Sequence, residues 1–166
     1  MLVVSGTDAR ADYTSSYVTK SEVIDLANPS KSCQPWAGHP TGTKFAAGAL
    51  VDSQVILCGG DTPDGQLSKD CHLITQATSE AIVSLNVGSR NSAATEINGK
   101  VLMAGGYAGA GIGDLYGIKS TELISLDQAS PGPDLPYPVY HHCIIKINNE
   151  DILLTGGVGT QAPNNG

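Results

Sequence analysis

Short apolar runs that each end in glycine recur along this chain, and polar turns separate them from other apolar stretches. The runs are VILC before Gly59-Gly60, VLMA before Gly105-Gly106, ILLT before Gly156-Gly157, and a degenerate copy, LVVS, before Gly6. The first glycines follow one another at intervals of about 50 residues, and a strand-rich repeat of this length is typical of β-propellers. The pattern therefore predicts a repeat fold built from short strands.

Each glycine-ended run is predicted to be one strand of a hairpin, with two further strands after it. A polar turn and an earlier apolar strand precede each run, and turns of the Asn98-Gly99 type favour tight hairpins. The predicted preceding strands are FAAGALV, NSAATEI and HHCIIKI, and the predicted following strands are KSEVIDL, SKDCHLI and KSTELISL. A fourth strand is predicted at 80–86 and, more weakly, at 32–36. The proline-rich segment QASPGPDLPYP is compatible only with an edge strand or a loop.

The glycine pairs, the apolar runs before them and the strand SEVIDL after them resemble the kelch repeat, in a divergent form. The resemblance covers nearly the whole chain. It implies an all-β fold of kelch-type β-propeller blades, each a four-stranded antiparallel sheet. It also implies that the glycine pairs have a structural role at the end of the second strand. These structural glycines are Gly59, Gly60, Gly105, Gly106, Gly156 and Gly157.

The predicted strands amount to about three and a half blades, which is an incomplete ring. We expect a partial blade at 1–37, blades at 44–88 and 90–137, a partial blade at 139–157 and a tail at 158–166. Both outer sheets would then present open edges, which are templates for pairing. Three interpretations are compatible with this count: a segment of a longer propeller, a ring or polymer completed by further copies, or a small array of four incomplete blades.

Composition and charge exclude some partners. The chain has 166 residues, 40% of them hydrophobic, which is enough for one domain with a sizeable core. Its net charge is -7, and its nine lysines and arginines are scattered, whereas nucleic-acid binding needs clustered cations. No apolar run is long enough to span a membrane. We therefore expect neither nucleic-acid binding nor a membrane span.

Two of the four cysteines are predicted to form a disulfide. Cys58 ends a glycine-closed strand and Cys71 lies on the next strand, so the two face each other across an antiparallel pair. Two buried thiols are the alternative. Cys33 and Cys143 belong to an outer and an inner strand and are not expected to meet. A disulfide favours a secreted or extracellular location, with a cytoplasmic location as the alternative.

The stretch VYHHC contains the most suggestive candidate ligands, Tyr140, His141 and His142. It is similar to a Tyr-His segment in the propellers of galactose-oxidase-like copper enzymes, which implies a possible copper site. We instead predict a polar start to an inner strand, because adjacent strand residues point to opposite faces. No metal and no cofactor are expected. The acidic residues Asp61, Asp64 and Asp114 are predicted to be solvated loop residues rather than calcium ligands.

These observations favour a non-enzymatic protein-binding or structural propeller module, acting through its loops and exposed blade edges. The expected partners are another protein or further copies of the chain. Two alternatives remain open: a galactose-oxidase-like copper enzyme and an intracellular kelch substrate adaptor. The metal content distinguishes the first alternative, and reduced cysteines distinguish the second.

Overall fold

The computed structural model describes residues 2–9, 15–109 and 116–159, and all regular elements in these ranges are β-strands. The strands are β1 (Leu2–Ala9), β2 (Ser15–Val23), β3 (Gln34–Trp36), β4 (Ala47–Val51), β5 (Gln54–Cys58), β6 (Asp70–Ile74), β7 (Ser79–Ser84), β8 (Ala93–Ile97), β9 (Lys100–Ala104), β10 (Tyr107–Ala108), β11 (Tyr116–Gly117), β12 (Thr121–Ile124), β13 (Ala129–Pro131), β14 (Val139–Lys146) and β15 (Ile152–Gly159).

Four antiparallel sheets follow one another along the described part of the chain, besides a small two-stranded sheet of β10 and β11. They are the first sheet (β1-β2-β3), the second blade (β4-β5-β6-β7), the third blade (β8-β9-β12-β13) and the terminal hairpin (β14-β15). Within the described ranges these sheets form no closed barrel. The predicted all-β fold of four-stranded antiparallel blades in an incomplete ring is thereby confirmed.

The tight turns of the second and third blades follow from their sequences. Asp52 and Ser53 both have positive φ, and so do Asn98 and Gly99. Two successive positive-φ residues characterise the type I′ turn, whose twist matches that of the flanking strands. Gly99 adopts this conformation without steric cost. The register on either side is regular, so each turn fixes which face of the hairpin is buried.

The second glycine of each inner pair connects one sheet to the next. The Gly60 N–H donates to the Ser89 carbonyl at 2.8 Å, and the Gly106 N–H donates to the Val139 carbonyl at 2.8 Å. A Cβ at Gly106 would lie 2.6 Å from the Arg90 carbonyl oxygen, closer than real side chains approach. Glycine is therefore needed for the close approach of backbone at these positions.

Apolar side chains fill the spaces between neighbouring sheets. Ala47, Ile56 and Cys58 of the second blade pack with Val101 and Met103 of the third blade. A smaller cluster joins the third blade to the terminal hairpin: its members are Ala93, Ala104 and Ile144, with Ile152 and Leu154 packed against them. Alternate residues of each strand thus face opposite neighbours, as the two-residue period of a strand requires.

The structure departs from the predicted elements in three places. β2 begins at Ser15, five residues before the predicted strand, and pairs along most of β1. The predicted loop after Gly106 contains a short pair, β10 with β11. β15 continues to Gly159, into the segment predicted as a tail. The proline-rich segment forms an edge strand, β13.

No helix among the described residues is long and apolar enough to cross a membrane.

Candidate functional site

We call β4, β8 and β14, the first strands of the second blade, the third blade and the terminal hairpin, the inner strands. Three equivalent residues of successive repeats form an arc at or near the start of these strands. Phe45, Asn91 and His141 have φ angles of 61°, 54° and 54°. The Asn91 N–H donates to the Phe45 carbonyl at 2.9 Å, and the His141 N–H donates to the Asn91 carbonyl at 3.2 Å. Positive φ is unusual for such residues and often marks functional strain. Because it recurs at the same position in three successive repeats, we assign it to the architecture of this inner arc.

An ion pair joins the second and third blades beside the inner arc. Asp61, directly after Gly60, is 1% exposed, and its Oδ2 accepts a hydrogen bond from Arg90 at 2.6 Å. The Arg90 guanidinium also lies over the Phe45 ring, 5.5 Å from its centroid. The prediction that Asp61 is a solvated loop residue is wrong, because the next blade covers the carboxylate and supplies its counter-charge.

An aromatic pair occupies the equivalent position between the third blade and the terminal hairpin. Tyr107 follows Gly106 as Asp61 follows Gly60, and it stacks on Tyr140 with ring centroids 3.8 Å apart. Burial, and then the hydrogen bond with Tyr140, raise the pKa of Tyr107 to about 12, against an opposing effect of Arg90. The Tyr107 hydroxyl therefore keeps its proton well above neutral pH.

The structure separates the two histidines that the sequence suggested as ligands. His141 is exposed, with its ring 5.3 Å from that of Tyr140. His142 packs between sheets, where its Cε1 would lie 2.9 Å from a Cβ at Gly105. Burial lowers the pKa of His142. Across residues 2–9, 15–109 and 116–159, no group of three or more His, Cys, Asp or Glu residues could hold a metal ion.

The second and third blades each contact the segment that precedes them, and the chemistry of this contact differs between the two blades. In the second blade, His72 meets His39 edge to face, with ring centroids 4.4 Å apart. Burial, followed by the His72 charge, lowers the pKa of His39 to about 4, and burial also lowers the pKa of His72, while Asp70 opposes both shifts. Both rings are therefore neutral at physiological pH.

In the third blade, the residue equivalent to His72 is a carboxylate, Glu122. It is 8% exposed and accepts hydrogen bonds from the Asn86 N–H at 2.9 Å, the Asn86 Nδ2 at 2.8 Å and the Val87 N–H at 3.2 Å. These three donors compensate for the burial of its charge.

Two of the four cysteines form a disulfide bond, and the other two are free thiols. Cys58 and Cys71 lie opposite each other in the register of β5 and β6, and they form a disulfide bond with a Cα–Cα distance of 4.1 Å. Closing a loop of this size contributes about 3 kcal/mol to stability in the chain-entropy view. Cys33 and Cys143 are free and exposed; Cys33 lies directly before β3, and Cys143 lies on the terminal hairpin.

The outward side of the terminal hairpin is an exposed apolar surface, which we call the open face. Its apolar members are Ile145, Ile147 and Leu153, at 50%, 64% and 48% exposure, and Cys143 lies beside them. Ile145 pairs directly with Leu153 across the hairpin. Contiguous apolar surface of this kind marks interaction sites more often than single exposed residues do.

Sequence reasoning missed the cross-blade pairs Asp61–Arg90 and Tyr107–Tyr140. The signal that identifies them is their position in the repeat: one partner follows a glycine pair, and the other begins the next inner strand. Asp64 is exposed, as predicted, and its carboxylate is hydrogen-bonded to Thr62. Asp114 lies outside the described residues.

Comparisons with known proteins support the fold and go no further. The chain matches no protein-family model, and no curated protein matches it. The solved structure of YjhT is similar, with a TM-score of 0.68 and 14% sequence identity over 93% of this chain. The aligned part is 52% of YjhT, so this chain spans about half the length of that structure. At such low identity, the likeness shows a shared fold alone.

Proposed function

We propose that this chain is a non-enzymatic protein-binding or structural module with kelch-type blades, acting through its loops and exposed blade edges. The open face is the observation that carries this proposal. Its three large apolar side chains are about half exposed, beside a strand, β15, whose outer edge is unpaired in the described part of the chain. An edge of this kind is a ready template for another polypeptide.

We also propose that this module is secreted or extracellular, and the disulfide supports this location. Disulfides persist in oxidising compartments and are rare in reducing ones. The Cys58–Cys71 bond lies buried between sheets, where both residues are at most 1% exposed. Chain isolated from its natural compartment with its thiols blocked should therefore contain two free cysteines, Cys33 and Cys143. Four free cysteines would contradict the extracellular assignment.

Thiol protection tests the binding function itself. Cys143 lies on the open face, whereas Cys33 lies directly before β3, and both are exposed. In the assembly recovered gently from its source, we expect a native mass larger than one chain and slow labelling of Cys143, with rapid labelling of Cys33. Recovery of a lone chain in which both thiols react equally fast would count against a binding module.

A further inference from the structure

We propose that His142 makes the joint between the third blade and the terminal hairpin, where these two sheets pack together, sensitive to acid. Protonation of its ring opens this joint while the joint between the second and third blades stays closed. This inference is independent of the proposed binding function. Three observations carry it: the position of the imidazole, the lack of partners for its two nitrogens among the described residues, and the charges around it.

The His142 side chain lies inside this joint. On its own hairpin, the residue pairs with Gly156 in the register of β14 and β15, and a Cβ at Gly157 would lie 2.7 Å from the His142 Cβ. On the opposite side, a Cβ at Gly105 of the third blade would lie 2.9 Å from the His142 Cε1. The ring is thus held between two glycine pairs, and the two sheets must separate before water can reach its nitrogens.

Both ring nitrogens of His142 are buried, and neither has a hydrogen-bond partner among the described residues. A neutral imidazole has one N–H that donates and one nitrogen that accepts, so this ring already leaves two polar atoms unsatisfied. A protonated ring would bury a charge and two unpaired donors, which is considerably more costly. The closed joint therefore disfavours the proton, and burial lowers the pKa of His142.

The equivalent positions of the two preceding repeats hold small residues that do not ionise. They directly follow Phe45 and Asn91, as His142 follows His141, and they are Ala46 and Ser92. The Ser92 hydroxyl is satisfied, because its Oγ donates to the Gly105 carbonyl at 2.7 Å. An ionisable ring at this position is therefore a feature of one joint and not a requirement of the repeat.

Among the described residues, no neighbouring charge compensates for a proton on this ring. On the same strand, His141 and Cys143 are exposed. Burial is the cause that lowers the pKa of His142, whereas at His39 and His72 the charge of Asp70 opposes the effect of burial. The segments around the ring carry titratable side chains that are engaged with one another: Glu96 with Lys146, Lys119 with Asp134, and Tyr107 with Tyr140.

The joint between the second and third blades contains buried charges that are already paired. They are Asp61 with Arg90, and Glu122 with its three hydrogen-bond donors. Neither contact includes a histidine, so mild acid places no additional positive charge there. The two joints are therefore expected to respond differently to a decrease in pH.

The sign and size of the effect follow from proton linkage. When the joint is open, the His142 ring is in water and has the ordinary pKa of about 6.5. Its pKa is lower when the joint is closed, so the open state binds the proton more tightly. The population of the open joint should therefore rise roughly tenfold for each pH unit below about 6.5, until the pKa of the closed state is reached. Above that range it should not depend on this ring.

The test is amide hydrogen exchange of the 166-residue chain, followed by NMR from neutral pH to about pH 4.5 and expressed as protection factors, which removes the intrinsic pH dependence of exchange. The Gly106 and His141 amides donate across the joint that contains His142, and the Gly60 amide donates across the joint between the second and third blades. We expect protection of the first two amides to fall by about tenfold per pH unit, and more steeply than protection of Gly60.

His142→Gln should remove this steep fall, because the amide does not titrate. His141→Gln is the matched control: it replaces the adjacent exposed ring, and the fall should persist because His142 remains. If His142→Gln lowers the melting temperature strongly, His142→Ser, which copies Ser92, should show the same loss of pH dependence. Equal falls at all three amides, or a steep fall that remains without His142, would overturn the proposal, and so would an NMR titration in which the His142 ring is protonated at neutral pH.

Discussion

Two inner joints hold neighbouring sheets together: one lies between the second and third blades, and the other lies between the third blade and the terminal hairpin. They perform the same structural task with opposite chemistry. Between the second and third blades, the equivalent positions hold a buried ion pair, Asp61 with Arg90 at 2.6 Å. Between the third blade and the terminal hairpin, they hold two stacked rings, Tyr107 and Tyr140. The backbone hydrogen bond from the glycine pair is 2.8 Å long in both joints. The comparison indicates that backbone geometry defines the joint and that side chains fill it.

Replacing the first glycine of each pair should break both joints alike, and this is the largest effect that we expect. A Cβ at Gly59 would lie 2.5 Å from the Ser89 carbonyl oxygen, and one at Gly105 would lie 2.4 Å from the Val139 carbonyl oxygen. Gly59→Ala and Gly105→Ala should each lower the free energy of unfolding by about 3–4 kcal/mol, from the unfavourable φ and the steric overlap together. Chemical denaturation measures this loss.

Gly99→Ala is the control for the backbone conformation alone. Gly99 has a φ of 73°, but a Cβ there would meet nothing within 4 Å. The expected loss is about 1–2 kcal/mol, the cost of the left-handed conformation. If Gly105→Ala cost no more than Gly99→Ala, close backbone approach would not be the element that the two joints share.

Removing one member of the ion pair should have the next largest effect. Asp61→Ala leaves the largely buried Arg90 without its counter-charge, so the free energy of unfolding should fall by about 3 kcal/mol. If the joints are interchangeable, the double variant Asp61→Tyr with Arg90→Tyr should recover most of this loss. Urea unfolding of the single and double variants provides the measurement.

An exposed ion pair provides the matched control for this substitution. Lys119 and Asp134 lie 3.0 Å apart with about half of each side chain exposed. Asp134→Ala should change stability by less than about 1 kcal/mol, because solvent screens such pairs. A double tyrosine variant as unstable as Asp61→Ala would show that the two joints are not equivalent in shape.

The sequence permits prediction of the blades but not of the joints, for a physical reason. The turns at Asp52-Ser53 and Asn98-Gly99 act within a few residues, so their pattern predicts hairpins and strand order. Cys58 and Cys71 could be paired because they lie on neighbouring strands of one sheet. In contrast, Asp61 and Arg90 belong to different sheets, and their contact depends on how the blades stack.

The two contacts with preceding segments extend the comparison to pH. His39 and His72 are neutral when folded, whereas Glu122 accepts hydrogen bonds as a buried carboxyl group. The pKa of His39 is about 4 when folded and near 6.5 when unfolded, so the unfolded chain binds more protons between these values. Stability should be complete above pH 6.5 and fall by about 1–2 kcal/mol as the pH drops to 4, after allowance for solvent screening.

His39→Gln isolates this contribution from the other acid-sensitive groups. The variant should lose part of the decrease in stability between pH 6.5 and 4, as measured by urea unfolding at a series of pH values. His141→Gln is the control for the substitution itself, because the His141 ring is exposed. If His39→Gln and the unmodified chain had the same dependence of stability on pH, the His39–His72 contact would not be the pH-sensitive contact.

The smallest expected effect concerns the aromatic joint and its proton. The pKa of Tyr107 is raised to about 12 by burial and by the hydrogen bond with Tyr140. Tyr107→Phe should cost only about 1 kcal/mol, because the rings still stack and one hydrogen bond is lost. In an ultraviolet titration, the variant should lack the tyrosine that ionises near pH 12, whereas Tyr116→Phe, which removes an exposed ring, should retain it. If Tyr107→Phe kept the ionisation near pH 12, the tyrosine proton would not be held in the joint. The ionic and aromatic joints would then differ in packing as well as in charge.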